Sequence, residues 1–576
     1  MASFTGQSIS ESYQRVLQVD GGTIQNGLGG AVDGTIKSLV VQNALSATTV
    51  NLLTLSRGGS NVSSNIAIGP NVLPSNTTGT TNIAIGDGTL NANTEGSSNI
   101  ALGSRALQSN TLGNRNVAIG LQSLKYNTEG NYNVAIGSGA LYENTTGNYN
   151  IALGSSALQN NTTGYNNVAL GPSALSSNTT GFDNVALGNG VLSSNTTGYN
   201  NIALGTNALN YNTEGNNNVA LGLGALQQNT TGTQNVALGN FSLFSNTTGT
   251  YNVALGKSTL QSNTTGNDNI AIGQTALYYN TTGIQNVALG TNALVNNTTG
   301  YNNIALGQSA LQNNTTGIQN VALGASALAN NTTGANNVAL GASALSSNTT
   351  GQYNVALGSS ALYYNTEGNS NVALGLGALQ KNQTGNYNVA LGSSALSSNT
   401  IGTYNVAIGP SALQNNTEGN QNIALGQNAL RENTTGNDNV ALGAMALNTN
   451  TEGNNNIALG YRALRYNSIG NNNVALGLQS LYANTTGGGN TSLGINSLGS
   501  NTLGSYNSAL GYSTQTGDFS GSVILGALAT ATDNGQFALG SQDYPIGPIA
   551  TESSASSTHT LAINLNGNTY RLLMIQ

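Results

Sequence analysis

The chain contains no cysteine in its 576 residues, so neither disulfides nor a thiolate metal site can hold it together. Charge is scarce as well: only 5% of residues are charged, and 12 basic against 19 acidic residues leave a net charge of −7, which argues against nucleic acid as a partner. No apolar run approaches the ~20 residues of a membrane-spanning helix, so no membrane insertion is expected. Met1 to Asp20 lacks the basic start, apolar stretch and small-residue cleavage site of a secretory signal, which points to assembly inside a cell. There is one histidine, His559, and it stands in a Ser/Thr-rich stretch where a structural role is the simpler reading.

What is abundant is glycine, with 77 residues, and a single repeated phrase. A glycine closing an N-[VI]-A-[LI]-G core recurs at every seventeenth residue from Gly69 to Gly511, giving 27 copies without insertion or deletion. Self-similarity at a fixed period is the mark of stacked, equivalent units. Seventeen residues containing an N-T-T-G turn cannot hold two packed helices, since helical repeats need roughly 34 to 47 residues. The period therefore predicts an all-β fold, a parallel β-solenoid of seventeen-residue coils.

In the copy that starts at Asn167, Val168-Ala169-Leu170 is expected to form one strand and Ser173-Ala174-Leu175 the edge of a second. Gly171 and the corner from Asn178 to Gly181 are expected to turn the chain. Side chains alternate along a strand, so Val168 and Leu170 share one face and Ala169 takes the other. The larger pair, closed by Leu175, is expected to form the core. The Ala column, Ala67 to Ala509 with Ser492 as its exception, is then expected to point outward and to pack against another chain.

Two Asn columns, one typified by Asn167 and one by Asn178, suit stacked amides hydrogen-bonding at about 4.8 Å, or corners in the left-handed conformation. Glu replaces the second Thr of the corner at Glu95, Glu129, Glu214, Glu367, Glu418 and Glu452, which predicts a column facing water. Like charges stacked at strand spacing repel, and no two neighbouring copies both carry Glu. At one strand spacing per coil the copies would extend on the order of 130 Å.

N-[VI]-A-[LI]-G followed by a small-residue turn resembles the head repeat of trimeric autotransporter adhesins. That resemblance implies a left-handed β-roll and a homotrimer. The seventeen-residue period is longer than that family's repeat of about fourteen, although Ser522 to Gly526 and Gln536 to Gly540 return to the shorter spacing.

Three domains are expected: 1–62, 63–515 and 516–576. The first, with β-type runs such as Tyr13 to Asp20 punctuated by Gly21 and Gly22, resembles the attachment ends of phage tail fibres, particularly of phages infecting cyanobacteria. In the last, a linker from Tyr544 precedes a hairpin pattern, Leu561 to Leu565 and Tyr570 to Met574 around Asn566-Gly567. Short hairpins of this kind end many phage structural proteins, and one here would cap an open β edge.

No catalytic constellation stands out. Asp183, Asp268 and Asp438 share one turn column but lie many coils apart, whereas the two carboxylates of a glycosidase lie within ~10 Å. Neither enzyme activity nor a cofactor or metal is expected. Tyr recurs beside the corner, at Tyr132, Tyr149, Tyr165, Tyr199, Tyr251, Tyr301, Tyr353, Tyr387 and Tyr404, and before the second Asn at Tyr279 and Tyr364. Such rings could bind sugars, but bridging neighbouring coils is the simpler expectation.

A receptor site is expected where the pattern breaks, at Asp543, Tyr544, His559, Tyr570 and Arg571. Together these readings lead to a virion structural protein, a phage tail fibre assembled in the host cytoplasm. Its expected partners are tail or baseplate proteins, through the N-terminal region, and a host-surface receptor such as a glycan. Alternatives are a head or neck fibre, or an ice-binding solenoid.

Overall fold

Each seventeen-residue copy contributes one three-residue strand, as at Val168–Leu170, and passes the rest of its length through turns. The computed structural model describes residues 17–20, 23–26, 55–56, 58–59, 62, 64–544, 560–565 and 568–573. The chain divides into two compact units, Met1–Asn217 and Asn218–Gln576. The first carries nine such strands, from Ile66–Ile68 to Ile202–Leu204, and the second twenty, from Val219–Leu221 to Phe537–Leu539. Within each unit a strand pairs in parallel with its predecessor and its successor, seventeen residues away through the regular copies: Val168 faces Val185, Ala169 faces Ala186 and Leu170 faces Leu187. This is a parallel β-solenoid, and no α-helix occurs among the described residues.

The expected second strand is absent. Residues 172–177 form turns in which φ is positive at Ser173 (56°) and again at Leu175 (52°), so the backbone zigzags instead of extending. The equivalent Leu holds φ between 47° and 52° in every copy from Leu73 to Leu498. A left-handed non-glycine residue costs about 1–2 kcal/mol. Burying one Leu returns about 1.5–3 kcal/mol. Ser173 and Asp183 (φ 54°) carry the same conformation, so apolar burial alone cannot hold a coil in shape.

The two faces of the strand are the reverse of those expected. Ala169 is fully buried, together with Ala174 and Leu175, whereas Val168 and Leu170 lie half-exposed on the outside. The same pattern runs from Ala67 to Ala509. The physical reason is the narrowness of the coil. Leu175 enters from the opposite wall, two Asn side chains fill the remaining interior, and only a methyl group fits beneath the strand. Ala203 and Ala220, which the outward assignment would place in an interface between chains, are core residues.

Within each unit the buried amides make two ladders. Asn178 Nδ2 donates to Asn161 Oδ1 at 2.8 Å, and Asn195 Nδ2 donates to Asn178 Oδ1 at 2.8 Å. In the other column, the backbone N–H of Asn184 donates to Asn167 Oδ1 at 3.1 Å and Asn184 Nδ2 reaches the same oxygen at 3.1 Å. Within one coil both amides converge on one carbonyl, Asn167 Nδ2 and Asn178 Nδ2 each donating to Gly181 O at 2.9 Å. None of these Asn has positive φ, so laddering, rather than left-handed corners, explains their invariance.

Gly181 is fixed by the same arrangement, because a Cβ there would stand 2.3 Å from Asn178 Oδ1 and 2.4 Å from Gly198 O. Gly171 is needed for another reason, its φ of 134°. The corner completes the bonding between coils. The N–H groups of Thr179, Thr180 and Gly181 all point at Thr196 O, at 2.9, 3.2 and 3.3 Å, and Thr179 Oγ1 joins them at 3.0 Å. The side chain of the second Thr takes no part and is exposed, as are all six Glu that replace it.

Both ends of the pattern carry a device that sequence reading did not supply. Leu55–Ser56 pairs antiparallel with Ile66–Ile68, covering the first strand edge. Beyond Asn501 the next copy has no N-T-T-G corner, and the Asp518 carboxylate takes the place of the missing carbonyl. Its Oδ1 accepts from Thr502 N at 2.8 Å and Leu503 N at 2.9 Å, and also from the Thr502 hydroxyl. The shorter-spaced strands Val523–Leu525 and Phe537–Leu539 continue the parallel pairing. Antiparallel hairpins occur at Leu17–Asp20 with Thr23–Asn26 and at Thr560–Leu565 with Asn568–Leu573.

Candidate functional site: the outward columns

Because the strand centre points inward, both of its ends point out, and from Ile66–Ile68 to Val474–Leu476 every strand presents two apolar side chains to the exterior, Thr491 and Ser508 taking the first position in the last two regular copies. Ile202 is 42% exposed, Ile270 40% and Ile272 39%, and the Val and Leu of other copies are half-exposed. In each unit the columns run from strand to strand through Val474–Leu476 without a polar residue, and a contiguous apolar face of this kind marks an interaction surface. Chemically this face can pack against another apolar surface. It holds no group for acid–base work. Among the described residues no cluster of His, Asp or Glu could hold a metal, and no helix is long and apolar enough to cross a membrane.

The aromatic columns bridge coils. Tyr132 stacks on Tyr149 at 4.9 Å between centroids, Phe182 lies between Tyr165 and Tyr199 at 4.9 Å from each, and Tyr387 stacks on Tyr404 at 4.9 Å. The spacing is that of the strands, because equivalent backbone positions project equivalent rings. Tyr279 and Tyr364 instead meet their chain neighbours Tyr278 and Tyr363 edge-on.

Cations join some of these rings. Lys125 Nζ donates to Tyr126 OH at 3.0 Å and to Tyr142 OH at 3.1 Å, and lies 4.4 Å from the centre of the Tyr126 ring. The bond to Tyr126 raises the lysine pKa, and the same bond lowers that of the phenol. The corner carboxylate Asp518 is held below the usual carboxylate range, first by the Thr502 hydroxyl and then by the Leu503 amide.

Of the residues nominated for a receptor site, Asp543 and Tyr544 lie in a turn that closes on itself, Ser541 N donating to Tyr544 O at 3.2 Å and Tyr544 N to Ser541 Oγ at 3.1 Å. Tyr570 and Arg571 lie in the C-terminal hairpin, opposite Ile563 and Ala562. His559 lies outside the described residues. Sequence reading missed the outward Val and Leu columns. The available signal was their drift between Val, Ile and Leu while the Ala between them stayed fixed.

Compared with known proteins, the chain matches no protein family and no curated sequence. The likeness to adhesin head repeats and to phage fibres accordingly rests on the motif residues alone.

Proposed function

We propose that this chain is a structural fibre of a virion, a phage tail fibre whose solenoid coils associate as a homotrimer and hold an attachment end toward the host surface. The observation that carries this reading is the outward apolar face. A surface that repeats in register from coil to coil is suited to copies of itself, since one good contact is then reproduced along every coil. The absence of variation among the inner columns also suits a mechanical role, because near-identical coils present near-identical surfaces.

The left-handed coil, the three-chain state and the tail location come from the motif resemblance. The N-terminal region would meet tail or baseplate proteins. A head or neck fibre would use the same coils, and the two locations separate by imaging. Gold-labelled antibody against the repeats should decorate the tail appendages of intact particles. Label confined to the head or neck would move the assignment there, and unlabelled particles would overturn it. An ice-binding role fits less well, because six Glu interrupt the exposed Thr column.

A further inference from the structure

One aromatic column contains a gap of one ring. Tyr353, Ser370, Tyr387 and Tyr404 occupy the same position in four successive coils, with φ of 57°, 55°, 56° and 57°, so their side chains leave equivalent backbone in parallel. Tyr387 and Tyr404 stack at 4.9 Å with 10° between planes. Tyr353 has no ring at the next level, because Ser370 stands there. Tyr353 and Tyr387 are thus two strand spacings apart, about 9.6 Å. In this column no other pair of rings is separated by a single coil. That such a spacing admits one ring is shown by the chain itself, where Phe182 fits between Tyr165 and Tyr199 at 4.9 Å from both.

The gap opens into a cleft of about 540 Å³ lined by Gln352, Tyr353, Asn369, Ser370, Asn386 and Tyr387. Its rim is polar and partly fixed. Asn369 Oδ1 accepts from Gln352 N at 2.8 Å, Asn369 Nδ2 donates to Glu367 O at 2.8 Å, and Asn386 Nδ2 donates to Thr384 O at 2.9 Å. The Ser370 hydroxyl and the Gln352 side-chain amide make no hydrogen bond within the described residues and remain able to donate and accept. No charged side chain lines the cleft.

We propose that this cleft is a binding slot for one neutral hexopyranose ring of a glycan, held between the faces of Tyr353 and Tyr387. A pyranose has apolar C–H faces and a hydroxyl edge, matching two aromatic walls and an amide and hydroxyl rim. A flat aromatic ligand would use the walls and leave the rim unanswered. Glu367, two residues from Asn369, disfavours acidic sugars by like-charge repulsion. Two ring faces make a weak site. Several copies of the chain in one fibre would raise the effective affinity without new contacts. This names a ligand class for the attachment role proposed above, and depends on that role only for its biological purpose.

The test uses the full chain and neutral hexasaccharides of glucose, mannose and galactose, observed by saturation-transfer NMR and by tyrosine fluorescence, which no Trp obscures. Ser370→Tyr fills the gap with a residue that the column already accepts at the same φ, so the coil stays folded, and binding should fall at least about tenfold. Tyr353→Asn, another residue native to this column, should weaken binding similarly. Absence of transfer from all three sugars to the parent chain, or parent-like binding by Ser370→Tyr, would overturn the slot. Because free sugar and purified chain are used, that outcome would leave the fibre assignment standing.

Discussion

Neighbouring residues of a single strand live under opposite rules. Ala322 is sealed inside its coil, while Val321 and Leu323 on either side are half-exposed. Through the seventeen-residue copies the inner column holds one volume, Ala with Ser492 as its exception, whose hydroxyl donates to Ser497 O at 2.8 Å; a larger side chain, Ile524, is buried there only where the spacing shortens. The outer columns trade Val for Ile and Leu for Ile but keep apolar character as far as Val474–Leu476, after which Thr491 and Ser508 enter the first column. A fixed volume signals close packing within one chain, whereas a fixed polarity with variable shape signals a surface that packs against something more forgiving.

The largest effect should come from placing the same ring on both sides of this divide. Ala322→Tyr puts a ring where only a methyl fits, and should destabilise its coil by more than the about 1–3 kcal/mol of ordinary overpacking. Val321→Tyr, one residue away on the outward face, leaves the coil's interior untouched, so it should change the isolated coil by no more than about 0.5 kcal/mol, its cost falling instead on the association of copies. Hydrogen exchange of amides in residues 318–334 would read both, and equal loss of protection in the two variants would break the comparison. Repeat coils interact chiefly with their neighbours, so the damage from Ala322→Tyr should stay local.

A smaller effect sharpens the contrast between the repeating corner and its last copy. Elsewhere the corner amides rest on a backbone carbonyl, which does not titrate; at Thr502 and Leu503 they rest on the Asp518 carboxylate. Folding depresses this carboxyl pKa, so its contribution is present above the unfolded value and is lost as pH falls through the folded value. Below the usual carboxylate range, opening of the Thr502 and Leu503 amides should increase relative to that of Thr485 and Thr486, once intrinsic exchange is allowed for. Asp518→Asn should remove that pH dependence. A parallel response of both amide pairs would show that the carboxylate does not cap the corner.

The period, the strand at 168–170, the amide ladders and the water-facing Glu column were legible because each follows from stacking identical residues. What the sequence did not disclose was which way the strand faces. Hydrophobicity favoured Val168 and Leu170 for the interior, but interior volume decided the matter. That volume is set by Leu175 in a left-handed conformation that no propensity rule assigns to Leu. The turn at 172–177 passed for a strand edge for the same reason. For the nominated receptor residues the signal was a break in pattern, and the described residues put Asp543 beside Tyr544 in one turn and Tyr570 beside Arg571 in one strand. The slot at Ser370 was hidden because it is defined by a missing ring between two Tyr that lie 34 positions apart in sequence.

The central claim, that copies of this chain meet through the outward Val and Leu columns, can be tested directly because the chain has no native Cys. Val287→Cys and Thr282→Cys place one thiol each in adjoining coils, the first on the apolar face and the second at the exposed corner. In the native assembly, expected to have three times the 58.1 kDa mass of the chain, maleimide should label Val287→Cys at least about tenfold more slowly than Thr282→Cys. After denaturation the two rates should converge. Equal labelling of the native proteins, at the mass of a single chain, would show the face open to water and contradict the account.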